Sequence, residues 1–240
     1  QNTLSLHDAL PISEIDYFDP KSMKSPLYNP TVFRRGAERL VERLGAYDTK
    51  LFCQASMGVG RTAPGFKTPS PLPIYSIPSM TSTALTTDEV KRKIELMVKT
   101  AELYKKSGVH GIELHAVHWG YLLDQFVMAM TNQRTDEYGG TLENRIRVVK
   151  EIIEGIHQTC GDDYPISVRL GLKSYVKAFN KASLTGENEA GRTLEEGIEI
   201  CKMLESYGVN ALSVDVGTYD SFYYACPPAY MPKGHGLELC

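Results

Sequence analysis

Four short apolar runs limit what this chain can fold into. LFCQAS begins at residue 51, GIELHAV at 111, PISVRL at 165 and ALSVDV at 211, with one helical pattern in each gap. Starts separated by roughly 46 to 60 residues are too distant for hairpins and suit βαβ crossovers, so parallel strands are expected. Asn29 stands as N-cap before Pro30, ahead of an apolar stripe of Phe33, Ala37, Leu40, Val41 and Leu44. Thr86 and Glu89 have capping-box spacing before Val90, Ile94, Met97, Ala101 and Tyr104, and Gly108 stops that helix. A third helix is expected from about Thr141 through Leu142, Ile146, Val149, Ile153 and Ile156. A fourth is boxed by Thr193 and Glu196 and stops at Gly208.

The strands carry polar groups toward their C-terminal ends: Gln54, His115, Arg169 and Asp215. That is where a (β/α)₈ barrel keeps its chemistry, whereas a doubly wound sheet usually shows a glycine-rich first turn, and no G-x-G-x-x-G occurs here. The fold class is therefore α/β, a partial (β/α)₈ TIM barrel, because four units make only half of one.

Of the 240 residues, 42% are hydrophobic and 23% charged, with a net charge of -3, enough to build a substantial core in a soluble domain. No charge run points to nucleic acid. No apolar run approaches the roughly 20 residues of a membrane span, so a cytoplasmic setting is the default expectation. Five cysteines, widely spaced and without C-x-x-C, signal neither a disulfide framework nor a zinc site. Residues 1–14 lack an initiating methionine and a clear period; they are similar to translated adapter sequence and read as a non-native leader. Residues 15–240 then form an incomplete barrel domain whose two open sheet edges favour association, as in a homo-oligomer.

His115, His118, Trp119 and Tyr121 crowd into seven residues where the second of these strands should end, in a chain with six histidines and one tryptophan. Two imidazoles can donate to a carbonyl or anionic oxygen. A phenol, with a reference pKa of about 10, is a neutral proton donor, and Arg169 is a permanent cation. The set suits a reaction in which negative charge develops on a small organic molecule and a proton follows; a hydride source or base is missing and implies a cofactor. Two other readings stay open. His115, His118 and Asp215 could bind a divalent metal in a hydrolase, although residues i and i+3 of a strand face opposite sides, so the chain would have to turn at His118. The chain could also be an inert scaffold.

The run GIELHAVHWGYLLDQFVMAMTNQRTDEYGGTLENR resembles the flavin oxidoreductases of the old yellow enzyme family, in which a His-rich strand four is followed by G-Y-L-L-x-Q-F and N-x-R-x-D-E-Y-G-G-S/T-x-E-N-R. The order of elements agrees over about residues 27 to 220. LFCQASMGVGR stands as strand three, SVRLG as five and ALSVDVG as six, so the chain would hold strands three to six of eight with their helices. HAVHWGYLLDQF and the DVGTYDSFYYACPPAY region are most similar to the branch of 2,4-dienoyl-CoA reductases, enoate reductases and bile-acid-pathway flavin enzymes.

The resemblance implies an enzyme carrying hydride from NADH or NADPH through FMN to an activated alkene, or the reverse. The alkene would be an enone, enoyl-CoA or steroid-like small molecule. Gln54 would bind the pyrimidine edge of FMN, and Arg169 would sit near N1 and the C2 carbonyl. His115 and His118 would hold the substrate carbonyl oxygen, and Tyr121 would protonate the α-carbon. The FMN phosphate would be gripped by strands seven and eight, beyond Cys240. In this branch an iron–sulfur cluster and FAD would follow in a C-terminal part, and the chain alone would be inactive. Trp119 departs from the family pattern H-x-x-H/N-G-Y. The period of two in IELH favours His115 and His118 keeping their places, with a bulge absorbing the tryptophan. TNQRTDEYGGTLENR reads as structural: Gly139 and Gly140 for a turn, and Asp136, Glu137, Glu143, Asn144 and Arg145 for a polar network. Cys226 falls on the loop after strand six and reads as a bystander.

Overall fold

A computed structural model describes residues 3–5, 25–74, 77–118, 120–175 and 190–215. Trp119 and Cys226 lie outside them. The main sheet consists of β1 (Thr3–Ser5), β2 (Lys50–Ser56), β3 (Gly111–Val117), β4 (Ile166–Gly171) and β7 (Ala211–Asp215), in that spatial order and all parallel. A small antiparallel ribbon, β5 (Ser174–Tyr175) with β6 (Ala190–Arg192), is inserted after β4. β1 comes from the segment that the sequence reading sets outside the fold. Its pairing with Lys50–Phe52 uses backbone groups alone, which any short extended segment can supply at a sheet edge.

The helices are α1 (Pro30–Gly45), α2 (Thr87–Lys106), α3 (Leu122–Val127), α4 (Leu142–Arg145), α5 (Arg147–Cys160) and α6 (Leu194–Ser206). α2 starts on the expected reciprocal box of Thr86 and Glu89. At α6 only half of the expected box forms. Thr193 accepts from the Glu196 amide, but the Glu196 carboxylate turns away to Arg145 at 2.8 Å. The single helix expected from Thr141 is two helices divided at Ile146.

Alternate residues of the strands (Leu51, Cys53 and Ala55; Ile112, Leu114 and Ala116; Ile166, Val168 and Leu170) share one core with Val90, Met97, Tyr104, Val149, Ile153 and Ile200 of the helices. Among the described residues the long helices thus cover one face of the sheet only. A doubly wound sheet would carry helices on both faces; a barrel sheet keeps its second face for the interior. That second face is polar. Gln54, Glu113 and Ser167 form one row across the ladders, and Ser56, His115, Arg169 and Ser213 form the next row toward the C-terminal lip. No helix among the described residues is long and apolar enough to cross a membrane.

Candidate active site

His118 should face away from His115 if β3 ran unbroken. It does not, because the ladder slips: His115 pairs with Arg169, yet Val117 pairs with Leu170. Ala116 is the additional residue, and one inserted residue sends every later side chain to the opposite face. His118 thereby returns to the side of His115. Its Nδ1 lies 2.6 Å from His115 Nε2, with ring centroids 4.8 Å apart. Both rings are buried.

Gly120 then turns the chain with φ of +68°, a conformation glycine adopts without a Cβ clash. Asp124 accepts from the Gly120 N–H at 2.8 Å, and Gln125 donates to the Gly120 carbonyl at 2.5 Å. Held on both sides, the turn delivers Tyr121, the N-cap of α3, edge-on to His115 with ring centroids 4.8 Å apart. Gln125 also accepts from the Arg61 amide at 3.2 Å and donates to Val59 O at 3.2 Å, joining this turn to the loop after β2.

Arg169 reaches across the lip. Its Nη2 donates to Asp215 Oδ2 at 2.6 Å, and the same oxygen lies 3.3 Å from His118 Nε2. Burial and the nearby Arg169 charge push the His118 pKa down to about 3, against the opposing pull of Asp215. His118 is therefore a neutral imidazole at physiological pH, able to present one N–H and one lone pair. Gln54 is on the same face but one row deeper, where Nε2 donates to Glu113 Oε1 at 2.5 Å. The structure thus brings His115, His118, Tyr121 and Arg169 together around the lip and sets Gln54 beneath them.

Two tests bear on what this face could hold. Arg169 Nε–H is buried and has no hydrogen-bond partner among the described residues, so a donor waits there for an acceptor such as a ring nitrogen or carbonyl. The residues present fit the pyrimidine edge of a flavin. They fit one shared metal poorly. Ligands at 2.0–2.1 Å in tetrahedral geometry stand roughly 3.3 Å apart, wider than the 2.6 Å between the imidazoles. Among the described residues no trio of His, Cys, Asp or Glu is grouped for a metal. A separate cleft of about 300 Å³, lined by Met57, Val59, Lys67, Glu89, Lys93 and Leu122, contains none of these groups.

The sequence model for the NADH:flavin oxidoreductase / NADH oxidase family matches residues 56–211. The chain belongs to that family. It is 44% identical over 221 residues to a cinnamate reductase of Clostridium sporogenes, covering 89% of this chain and 33% of that protein. It is 35% identical over 233 residues to an NADH oxidase of Thermoanaerobacter brockii, covering 94% and 34%. Among solved structures, a 2-naphthoyl-CoA reductase in complex with 2-naphthoyl-CoA superposes with a TM-score of 0.66 at 28% identity, over 87% of this chain and 32% of that one. An old yellow enzyme homologue from Zymomonas mobilis gives 0.63 at 25%, over 85% and 59%. The chain thus spans about a third of the first two relatives, and its α/β fold is a partial barrel of the old yellow enzyme type.

In this member of the family, sequence reasoning missed the pairs behind the lip. Arg192 of β6 donates to the Gly171 carbonyl at 2.6 Å and to Asp124, and both side chains are fully buried. The signal was an acidic residue in LLDQFV, a helix buried at every position. The alternation of IELH sets Glu113 on the face of His115, but its pairing with Gln54 across the ladder was not foreseen.

Proposed function

We propose that the protein containing this chain is an FMN-dependent oxidoreductase that moves hydride between NAD(P)H and an activated alkene, in either direction. The observation that carries this is the meeting of His115 and His118 on one lip with the Tyr121 ring edge-on and the Arg169 cation beside them. FMN, when bound, supplies the hydride relay between nicotinamide and alkene. Arg169, through its Nε–H, and Gln54, through its amide, would hold the pyrimidine edge.

His115 and His118 bind the substrate carbonyl oxygen and draw electron density from the conjugated double bond. Tyr121 delivers its hydroxyl proton to the α-carbon, so negative charge never accumulates there. Relatives named for cinnamate and 2-naphthoyl-CoA support an aryl-conjugated acid or its thioester as substrate class. A second redox segment with an iron–sulfur cluster and FAD, and self-association, belong to the same proposal; metal analysis and sedimentation of the full-length protein test them.

The purified full-length protein should be yellow and should oxidise NADH or NADPH when given such an alkene. Tyr121→Phe should slow turnover on the order of 10²–10⁴-fold at unchanged flavin content. A colourless protein, or a Tyr121→Phe variant with full turnover and intact flavin, overturns the reading.

A further inference from the structure

Asp215, at the C-terminal end of β7, serves two site residues with one oxygen. Oδ2 accepts from Arg169 Nη2 at 2.6 Å and lies 3.3 Å from His118 Nε2. At that distance the carboxylate oxygen acts as negative charge against whatever the ring nitrogen presents. On the far side of the imidazole, His118 Nδ1 stands 2.6 Å from His115 Nε2. Ring nitrogens at that distance share one proton: one must be N–H and the other a lone pair.

Only one arrangement satisfies both contacts. If neutral His118 carried its proton on Nδ1, Nε2 would turn a lone pair toward the carboxylate, which repels it. With the proton on Nε2, an N–H faces Asp215, and Nδ1 is left to accept from His115 Nε2–H. The depressed basicity of His118 removes the doubly protonated alternative at physiological pH. We propose that Asp215 is a positioning residue: it fixes His118 as the Nε2–H tautomer and so makes His115 Nε2–H the donor that the pair offers to a substrate.

This rests on the proposed role of the histidine pair in holding a carbonyl oxygen and narrows it: His115 is the donor to that oxygen, and His118 keeps the donor in place until the oxygen arrives. An arriving oxygen replaces His118 Nδ1 as the acceptor of the His115 proton, and no proton has to move first. Asp215 also joins β3, β4 and β7 at the lip, so Arg169 and His118 are placed by the same carboxylate.

The test is ¹⁵N NMR of histidine-labelled full-length protein, with His118 assigned by the loss of its signals in His118→Asn. In the wild type, Nδ1 of His118 should resonate as a bare imidazole nitrogen and Nε2 as N–H. Asp215→Asn should keep that pattern, because Arg169 only donates and therefore holds the amide oxygen where Oδ2 stood. Asp215→Ala should lose it and give averaged shifts; Asp215→Leu, closer in volume, repeats the comparison should the alanine variant fold poorly. Alkene-dependent reoxidation of the flavin should fall on the order of 10–100-fold in the variants lacking the oxygen, the loss typical of removing a group that orients a histidine, and stay within a few-fold in Asp215→Asn. The opposite tautomer in the wild type, or an unchanged pattern without the carboxylate, overturns the proposal. Because the tautomer is read without turnover, a protein that shows the pattern but reduces no alkene refutes the proposed reaction and leaves the role of Asp215 standing.

Discussion

Two groups of buried and half-buried polar side chains sit within this half barrel, and they are terminated differently. Arg134, Arg145 and Arg192 end on backbone. Arg134 donates to Pro69 O at 3.2 Å and Leu85 O at 2.5 Å, Arg145 to Val127 O at 2.7 Å and Gly140 O at 2.8 Å, and Arg192 to Gly171 O at 2.6 Å. Each also meets a carboxylate, of Asp136, Glu196 or Asp124. At the lip, by contrast, His115, His118, Arg169 and Asp215 meet one another through side chains. A carbonyl in a fixed turn cannot be exchanged for a ligand without unfolding the turn, whereas side chains bonded to side chains can trade a partner for an incoming oxygen. The first group holds loops; the second is built of contacts that can be exchanged.

Breaking the first group should give the largest effect. Arg192→Met leaves the buried Asp124 carboxylate without its cationic partner, and should cost about 3–5 kcal/mol of stability, read from urea denaturation. Breaking the second should cost activity instead. His115→Ala in the full-length protein should lower alkene reduction by roughly 10²–10³-fold while the far-ultraviolet circular dichroism stays unchanged. Equal losses of stability in the two variants would dissolve the distinction.

Acid offers a milder separation. The folded pKa of His118, about 3, lies below the 6.5 of an unfolded histidine, so the unfolded chain binds the additional proton between them. The stability contribution is complete above pH 6.5 and is lost as pH falls toward 3, by up to about 2 kcal/mol at pH 5. His110 is depressed in the same direction by its burial, whereas Asp136, held down to about 2 chiefly by Arg134, loses its contribution only below the usual carboxylate range. The wild-type slope between pH 7 and 5 should therefore flatten in His118→Asn and persist in Asp136→Asn. The smallest effect belongs to Glu196→Gln, under about 1 kcal/mol, because that carboxylate is partly exposed and Arg145 keeps both carbonyls. A larger loss would shift the anchoring from backbone to ion pair.

Local pattern carried much of this organisation. The strand runs, the Thr86 box and the stop glycines are properties of neighbouring residues, and IELH fixed which strand positions face the polar side. What the pattern missed depends on distant partners. The slip at Ala116 is set against β4, some fifty residues away, and no period within HAVH shows it, although it decides where His118 points. Glu196 has the spacing of a box but answers to Arg145, and Asp124 looks like a misplaced charge until Arg192 is folded onto it.

Beneath the polar face, a residue without a side chain sets a limit. A Cβ on Gly111 would stand 2.3 Å from the Phe52 ring, so the aromatic can occupy the base of β2 and β3 only because position 111 is bare. Along these two strands the rows of Gln54 and of His115 thus stand above an aromatic floor, and any side chain at 111 would have to displace that ring.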